Sequence, residues 1–384
     1  MAKKEDKSRI VLVLSHKPDN RYGKRLDLLK EDYTMGVVYW NKEEKPLHLS
    51  LQDVEVQEVH LPADRTNPLK RIPQTLQFLQ QAYQRVEQLR PACIYVGNLD
   101  MLWIAARYKK KHKNTLLIYE IADLHRLVID RQKHPLKKLI SLGLKGMEKA
   151  LIGKVDRLVL TSMKFYDCYY QHLIDKRKVL FMPNMPKEGI FNQFHKQKHQ
   201  QFTVGFIGWI RYKEQLKLLI HAAEKAGVHL LFAGEDAEGE EFERYCAGFP
   251  HVTFLGPFDY ERDILDIYSQ VDCIYAVYDA DMRNVRVALP NKLYEAILCE
   301  LPILVAKQTY LAELVKSMGI GEAVHHKSRK ELTAVLKKLS QDRAYYEGLC
   351  TNCRLHRGEA EPEAYNQRLL LAIARHFRNN EYRE

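Results

Sequence analysis

Apolar residues along the chain fall into two alternating patterns. Short runs rich in β-branched and aromatic residues predict strands over 10–14, 35–40, 54–61, 93–96, 116–121, 158–161 and 179–182. Between most of them apolar positions recur every three or four residues, as at 73–88 and 102–111, which predicts helices. The pattern breaks at Phe181-Met-Pro-Asn-Met-Pro186 and in a polar stretch over 193–201. Two prolines so close remove backbone donors and cannot extend a helix, so this is a linker. The pattern then restarts, with strands over 204–207, 229–232, 252–255, 273–277, 303–305 and 323–325, and helices over 213–225, 263–270, 291–299 and 311–317. Strand–helix–strand order predicts parallel sheets with helices on both faces. The chain therefore reads as α/β, with two Rossmann-like doubly wound domains facing a cleft. These are residues 1–185 and 186–360, followed by a helix within 361–384 that is free to cross back to the first domain.

A length of 384 residues suits two domains, each with its own core. No apolar run approaches the roughly 18–20 residues that span a bilayer. The charged residues 1–9 lead straight into a strand, which predicts no secretion leader. The seven cysteines are scattered through apolar runs, as reduced thiols of a cytoplasmic protein are. Cys350-Thr-Asn-Cys353 lacks the second ligand pair of a zinc site.

Charge changes the picture more. Residues 1–185 hold 34 Lys plus Arg against 21 Asp plus Glu, whereas residues 186–384 hold 26 against 28. The whole excess of +11 therefore lies in the first half. Part of it sits on a helical pattern in which Leu136, Leu139, Ile140, Leu144, Met147 and Leu151 alternate with Lys137, Lys138, Lys145 and Lys149. Such a helix lies on an anionic membrane, or it packs on a core and leaves a solvated basic face. The asymmetry of the whole half favours an anionic partner. Nucleic acid is the weaker choice, because the basic stretches carry few aromatics for base stacking and no zinc-finger or RNP-like spacing.

Several chemistries are excluded. No GxxxxGK[ST] loop is present, and the turn after the first strand, Ser15-His-Lys-Pro-Asp-Asn-Arg-Tyr-Gly23, is not GxGxxG. HExxH and GxSxG are absent as well. The informative segment is Pro290-Asn-Lys-Leu-Tyr-Glu295. Pro290 suits the first position of a helix, and Asn291 is a good capping type. Free amides of that first turn, with Lys292, make an anion site. Glu295, one turn on, suits two sugar hydroxyls. Phosphate and ribose together describe a nucleoside diphosphate. A second segment, Phe206-Ile-Gly-Trp-Ile-Arg-Tyr-Lys213, is a strand, then Gly208, then a basic turn with Arg211 and Lys213 that suits a diphosphate. Lys217 competes for the place of Lys213.

These segments resemble a GT-B fold glycosyltransferase of family 4, the retaining group abundant in bacterial polysaccharide assembly. The resemblance spans both halves and is most specific at Pro290–Glu295 followed by Leu301-Pro-Ile-Leu-Val305. It implies that Glu295 holds the donor ribose, that Arg211 and Lys213 neutralise the diphosphate leaving group, and that Asn291 and Lys292 sit at the phosphate-facing helix start. It also implies catalysis without a metal or other cofactor. Two departures stand out. The family's first glutamate falls on Val287, so that Asn284 or backbone groups take its place, and Arg211 and Lys213 are more closely spaced than usual. In the first half, Ile118-Tyr-Glu-Ile-Ala-Asp-Leu-His-Arg126 resembles the strand end near the reacting sugar, and Asp123 and His125 are its candidates, with Glu120 beside them. The turn carrying Arg21 lines the acceptor side; Arg21 contacts acceptor phosphate or is simply exposed.

The expected activity is transfer of a sugar from a nucleoside-diphosphate donor to a lipid-linked saccharide, by a cytoplasmic protein held at the inner membrane face by its basic half. The alternatives are a catalytically silent GT-B partner or a nucleotide-sugar epimerase. Glu295→Ala is expected to impair donor use without unfolding the protein.

Overall fold

The computed structural model describes residues 7–64, 70–125, 129, 134–197, 200–236, 239 and 241–381. Contacts divide the chain into two compact units, Met1–Pro183 with Ala364–Glu384, and Asn184–Glu363.

The first unit has strands β1 (Arg9–Leu14), β2 (Thr34–Asn41), β3 (Val54–His60), β4 (Cys93–Val96), β5 (Leu116–Ile121), β6 (Arg157–Leu160) and β7 (Val179–Phe181). Its helices are α1 (Asn20–Leu29), α2 (Ile72–Leu89), α3 (Leu99–Lys111), α4 (Pro135–Ile152) and α5 (Met163–Cys168). The strands form one sheet in the order β3-β2-β1-β4-β5-β6-β7, every pair parallel. Central strands such as β4 and β5 are buried at every position, because helices cover both faces.

The second unit has β8 (Thr203–Ile207), β9 (His229–Ala233), β10 (Val252–Gly256), β11 (Cys273–Ala276), β12 (Ile303–Ala306) and β13 (Gly321–Val324), in the parallel order β10-β9-β8-β11-β12-β13. Its helices are α6 (Lys213–Ala226), α7 (Glu241–Cys246), α8 (Tyr260–Ser269), α9 (Arg283–Val287), α10 (Asn291–Leu298), α11 (Tyr310–Met318), α12 (Arg329–Gln341) and α13 (Arg343–Leu355). The last helix, α14 (Glu363–Glu381), returns to the first unit. There Leu369 and Ile373 enter the core beside Tyr39 and Met182, Phe377 meets Tyr33 edge-on, and Tyr365 meets Phe181.

Both sheets have a topological switch point, where the chain winds outward in opposite directions: between β1 and β4, and between β8 and β11. Loops leaving the carboxyl ends of two such strands part there and open a crevice, the usual ligand position in this class of sheet.

The helix at 135–152 forms, but its contacts reverse the core-packed reading. None of Leu136, Leu139, Ile140, Leu144, Met147 and Leu151 is buried, and Leu139 is 67% exposed. The helix is held instead by Ile152, Ser141 and Glu148. The Glu148 carboxylate accepts hydrogen bonds from the Tyr119, Tyr169 and Tyr170 hydroxyls at 3.2, 2.8 and 2.8 Å. The anchoring side thus combines Ile152 with a satisfied polar cluster, Leu144, Met147 and Leu151 are half-buried, and Leu136, Leu139, Ile140 and Leu142 form an apolar stripe that faces solvent. The flanking residues 131–133 of the basic cluster lie outside the described residues.

Candidate active site

In the second unit the switch-point crevice begins at Gly208, directly after β8. Its φ of +126° is accessible to glycine and strained for other residues. A Cβ there would lie 3.1 Å from Lys292 Nζ, and a Cβ on Gly234 would lie 1.9 Å from the Gly208 carbonyl oxygen. The ends of β8 and β9 therefore pack backbone on backbone. The Lys292 ammonium rests on that platform, 5.0 Å from the Phe206 ring centroid.

Lys292 occupies the first turn of α10. Pro290 is the residue before the helix, not its first member: it is extended (φ −81°, ψ 156°) and its carbonyl accepts the Leu293 N–H at 3.2 Å. Asn291 is consequently the first helical residue, and no side chain caps the turn. The expectation that Asn291 caps the helix is corrected, because a side chain inside the helix points away from the amides it would have to cap. The amides and Lys292 still add positive potential at this end, the more so as the turn holds no acidic residue.

Glu295 projects from the same helix and is buried. Both oxygens are already engaged: Tyr260 donates to Oε1 at 2.7 Å and Tyr268 to Oε2 at 2.5 Å. Burial and the adjacent carboxylate push both phenols far above their ordinary pKa. A carboxylate has about four acceptor positions, of which these two bonds use two. Glu295→Ala would leave the buried Tyr268 hydroxyl without an acceptor, at a cost of about 1–3 kcal/mol, and would also strip the half-buried Tyr260 hydroxyl of its partner. We expect this variant to melt earlier than the wild type. Glu295→Gln, which keeps one acceptor, should lie between them in a thermal denaturation series. The alanine substitution is therefore expected to lower stability as well as to impair donor use.

The remaining residues of this crevice fall in different environments. Arg211 is exposed, its guanidinium 5.6 Å from the ring of Trp209, itself 56% exposed. Tyr212 takes a left-handed conformation (φ +57°) just before α6 and leans on Tyr278. Lys213, the first residue of α6, is turned inward: its Nζ lies 3.2 Å from the buried Asp236 Oδ1. Its charge is balanced within the protein, which separates it from Lys292. Lys217 pairs with Glu214 at 3.7 Å and lies over the Tyr245 ring. Asn284 and Val287 lie on α9, where the Asn284 carbonyl accepts the Ala288 N–H at 2.8 Å. Among the described residues one group has the makings of a cation site: Asp279, Asp281 and His326. The Lys327 ammonium already sits on Asp281.

In the first unit, Asp123 and His125 are exposed just beyond β5. The residue that the fold draws inward is Glu120, fully buried on β5. Arg25 of α1 donates to it through Nε at 3.3 Å and Nη2 at 3.4 Å, and the Tyr95 hydroxyl of β4 also donates to it. Arg21 Nε lies 3.8 Å from Glu120 Oε1. These cations hold the Glu120 carboxyl below its ordinary pKa, against the opposing effect of burial. Glu120 and Arg25 were missing from the sequence-derived candidates. The signal available was a glutamate inside a six-residue strand otherwise fit for complete burial. Lys137, Lys138, Lys145 and Lys149 are exposed along α4.

Residues 201–342 match the family model described as glycosyl transferases group 1. The succinoglycan biosynthesis protein ExoL of Rhizobium meliloti is 25% identical over 267 residues, 65% of this chain and 64% of ExoL. The chain thus spans somewhat less than two thirds of that relative. Anabaena Alr3699/HepE, solved in complex with UDP, superposes with a TM-score of 0.69 at 15% identity, covering 96% of this chain and 99% of HepE. The sucrose-phosphate synthase of Thermosynechococcus elongatus superposes with a TM-score of 0.73 at 15% identity, covering 97% of this chain and all (100%) of the synthase chain. No helix among the described residues is long and apolar enough to cross a membrane. The chain therefore has the GT-B fold, and residues 201–342 of its second unit are similar to the glycosyl transferases of group 1.

Proposed function

We propose that this protein is a retaining glycosyltransferase of cell-surface polysaccharide synthesis. It takes a sugar from a nucleoside-diphosphate donor and passes it to a lipid-linked saccharide at the cytoplasmic face of the membrane. The observation that carries the donor side is the pairing, on one helix, of Lys292 over Gly208 with buried Glu295 one turn later. Lys292 offers a fixed positive charge to the departing diphosphate, where negative charge builds as the glycosidic bond breaks. Glu295, oriented by Tyr260 and Tyr268, retains acceptor positions for ribose hydroxyls. These groups need no metal to act. Retention of configuration follows the resemblance of the Pro290–Glu295 motif.

The acceptor side rests on α4. Leu136, Leu139, Ile140 and Leu142 are exposed beside Lys137, Lys138, Lys145 and Lys149, a composition that suits an anionic bilayer surface. With about 1 kcal/mol per basic residue near the surface, neutralising all four lysines to glutamine should weaken binding to anionic vesicles on the order of 10²–10³-fold. Leu139→Asp should do the same without a change of basic charge. Co-sedimentation unchanged in both variants would remove α4 from the membrane.

The function is tested by nucleotide release from UDP-, GDP- and dTDP-sugars, with and without lipid extract. UDP-sugars come first, because HepE was solved with UDP. Release from one donor, enhanced by lipid and lost in Lys292→Ala, is the expected result. Nucleotide binding without release under any condition would favour a silent partner, a reading that Val287 in place of a carboxylate keeps in view.

A further inference from the structure

We propose that the switch-point crevice of the first unit is a phosphate-binding site, built on Arg21, that holds the diphosphate of a lipid-linked acceptor. The inference rests on the lipid-linked acceptor proposed above and names the group that the protein would grip.

The crevice lies at the carboxyl ends of β1 and β4, where α1 leaves one strand and α3 the other. Arg21 and Arg25 are one turn apart on α1, so they share a face. Both are drawn toward Glu120, the buried carboxylate between them. Arg25 and Glu120 already balance each other through two hydrogen bonds. Arg21 is therefore a second guanidinium at a site that needs only one. Its side chain is 13% exposed, and its Nε is buried with no hydrogen-bond partner. Its remaining polar contact is Nη2 to Asp19 Oδ2 at 3.4 Å. Asp19 compensates little: it is half-exposed, and its Oδ1 accepts the Arg21 and Tyr22 amides as the cap of α1.

The guanidinium is also positioned. It lies 4.5 Å from the Tyr22 ring centroid. Tyr22 in turn fits against Gly97, where an added Cβ would fall 1.5 Å from the phenol oxygen. Across the crevice mouth, Asn98 donates to Ser15 Oγ. A held, planar, partly desolvated cation with unused donor capacity suits a phosphate oxygen pair. The class of ligand follows from the planar donor fork together with the lipid-linked acceptor proposed above, and not from α4. Tyr119 turns to the other face of β5 to meet Glu148 of α4 while Glu120 turns to Arg21, so the apolar stripe of α4 lies across the sheet from this guanidinium.

The test is equilibrium binding of geranyl diphosphate, a short soluble lipid diphosphate, to the full chain with UDP at saturation. UDP binding and thermal midpoint are followed in parallel. Arg21→Gln should weaken geranyl diphosphate at least tenfold and leave UDP affinity unchanged. Arg21→Lys, which keeps the charge and loses the fork, should fall between. Lys292→Ala should lose UDP and keep geranyl diphosphate, so failure of the donor site reads separately from failure of this one. Unchanged geranyl diphosphate binding in both Arg21 variants would overturn the proposal. So would a loss seen only when the four α4 lysines are neutralised, since the anion would then be read as a headgroup at the helix. Inorganic pyrophosphate should compete weakly; equal affinity would reassign the crevice to the free ion.

Discussion

Glu120→Ala is expected to lower the thermal midpoint of the first unit by on the order of 10 °C, the largest stability effect foreseen for a single substitution in this chain. Glu120 is fully buried, and it is the acceptor for Arg25 and Tyr95 and the nearest counter-charge for Arg21. Truncation leaves a buried guanidinium facing no anion and a buried hydroxyl facing no acceptor. Breaking a buried pair from one side costs about 3–5 kcal/mol, because the remaining charge keeps its desolvation penalty. At about 2–4 °C per kcal/mol for a unit of this size, the shift should be plain in calorimetry. The two units can melt separately, so the first-unit transition must be followed by its own probe. The acid limb gives a second readout. The Glu120 carboxyl is held below its ordinary pKa, so its stabilisation is complete above the usual glutamate range. It is lost as pH falls below that range through the folded value. Glu120→Gln, which has no proton to take up, should show a shallower loss of stability in acid than the wild type. A melting profile that Glu120→Ala leaves intact would mean that this cluster does not fasten α1 to the sheet.

Lys292→Ala should reduce kcat/KM for the sugar donor by about 10²–10³-fold while leaving the melting temperature near that of the wild type. The ammonium lies against the Gly208 platform and the Phe206 ring, and no salt bridge ties it to a carboxylate among the described residues. Its removal therefore strands no buried partner. If the diphosphate is where charge develops in the transition state, the loss falls on kcat as well as on KM. Lys213→Ala is the informative contrast. Lys213 is the buried counter-ion of Asp236, so its loss should lower stability first, and activity only as a consequence. Equal melting losses in the two variants, or full activity in Lys292→Ala, would falsify the separation of these lysines into a donor-facing and a structural one.

The division between what was readable and what was not follows physical lines. Period-two and period-3.6 patterns reflect local geometry, so strand–helix alternation, the restart after Pro186 and the two doubly wound sheets were legible. The Pro290–Glu295 segment was legible because a helix start, a lysine and a carboxylate one turn later are local facts. A sequence also fixes charge asymmetry, since that is a count.

Pairing across the chain was not legible. Glu120 meets Arg25 across 95 positions, and nothing local says that a guanidinium will cover it. For the same reason Lys213 looked like Lys292 in sequence, and only the return of the chain to Asp236 assigns it an internal partner. The terminal helix docks on the first unit through Leu369 and Ile373, a choice made by which core still exposes an apolar face. Helix α4 is the sharpest case. Its repeat of leucines predicts an amphipathic helix whichever surface it meets. Three tyrosine hydroxyls gathered around Glu148 decide that the apolar stripe stays outside. Sequence by itself determined the elements, the charge imbalance and the local arrangement of the Pro290–Glu295 motif. Tertiary structure decided which charges are spent inside the protein and which faces are left for a partner, because burial and pairing belong to the folded chain as a whole.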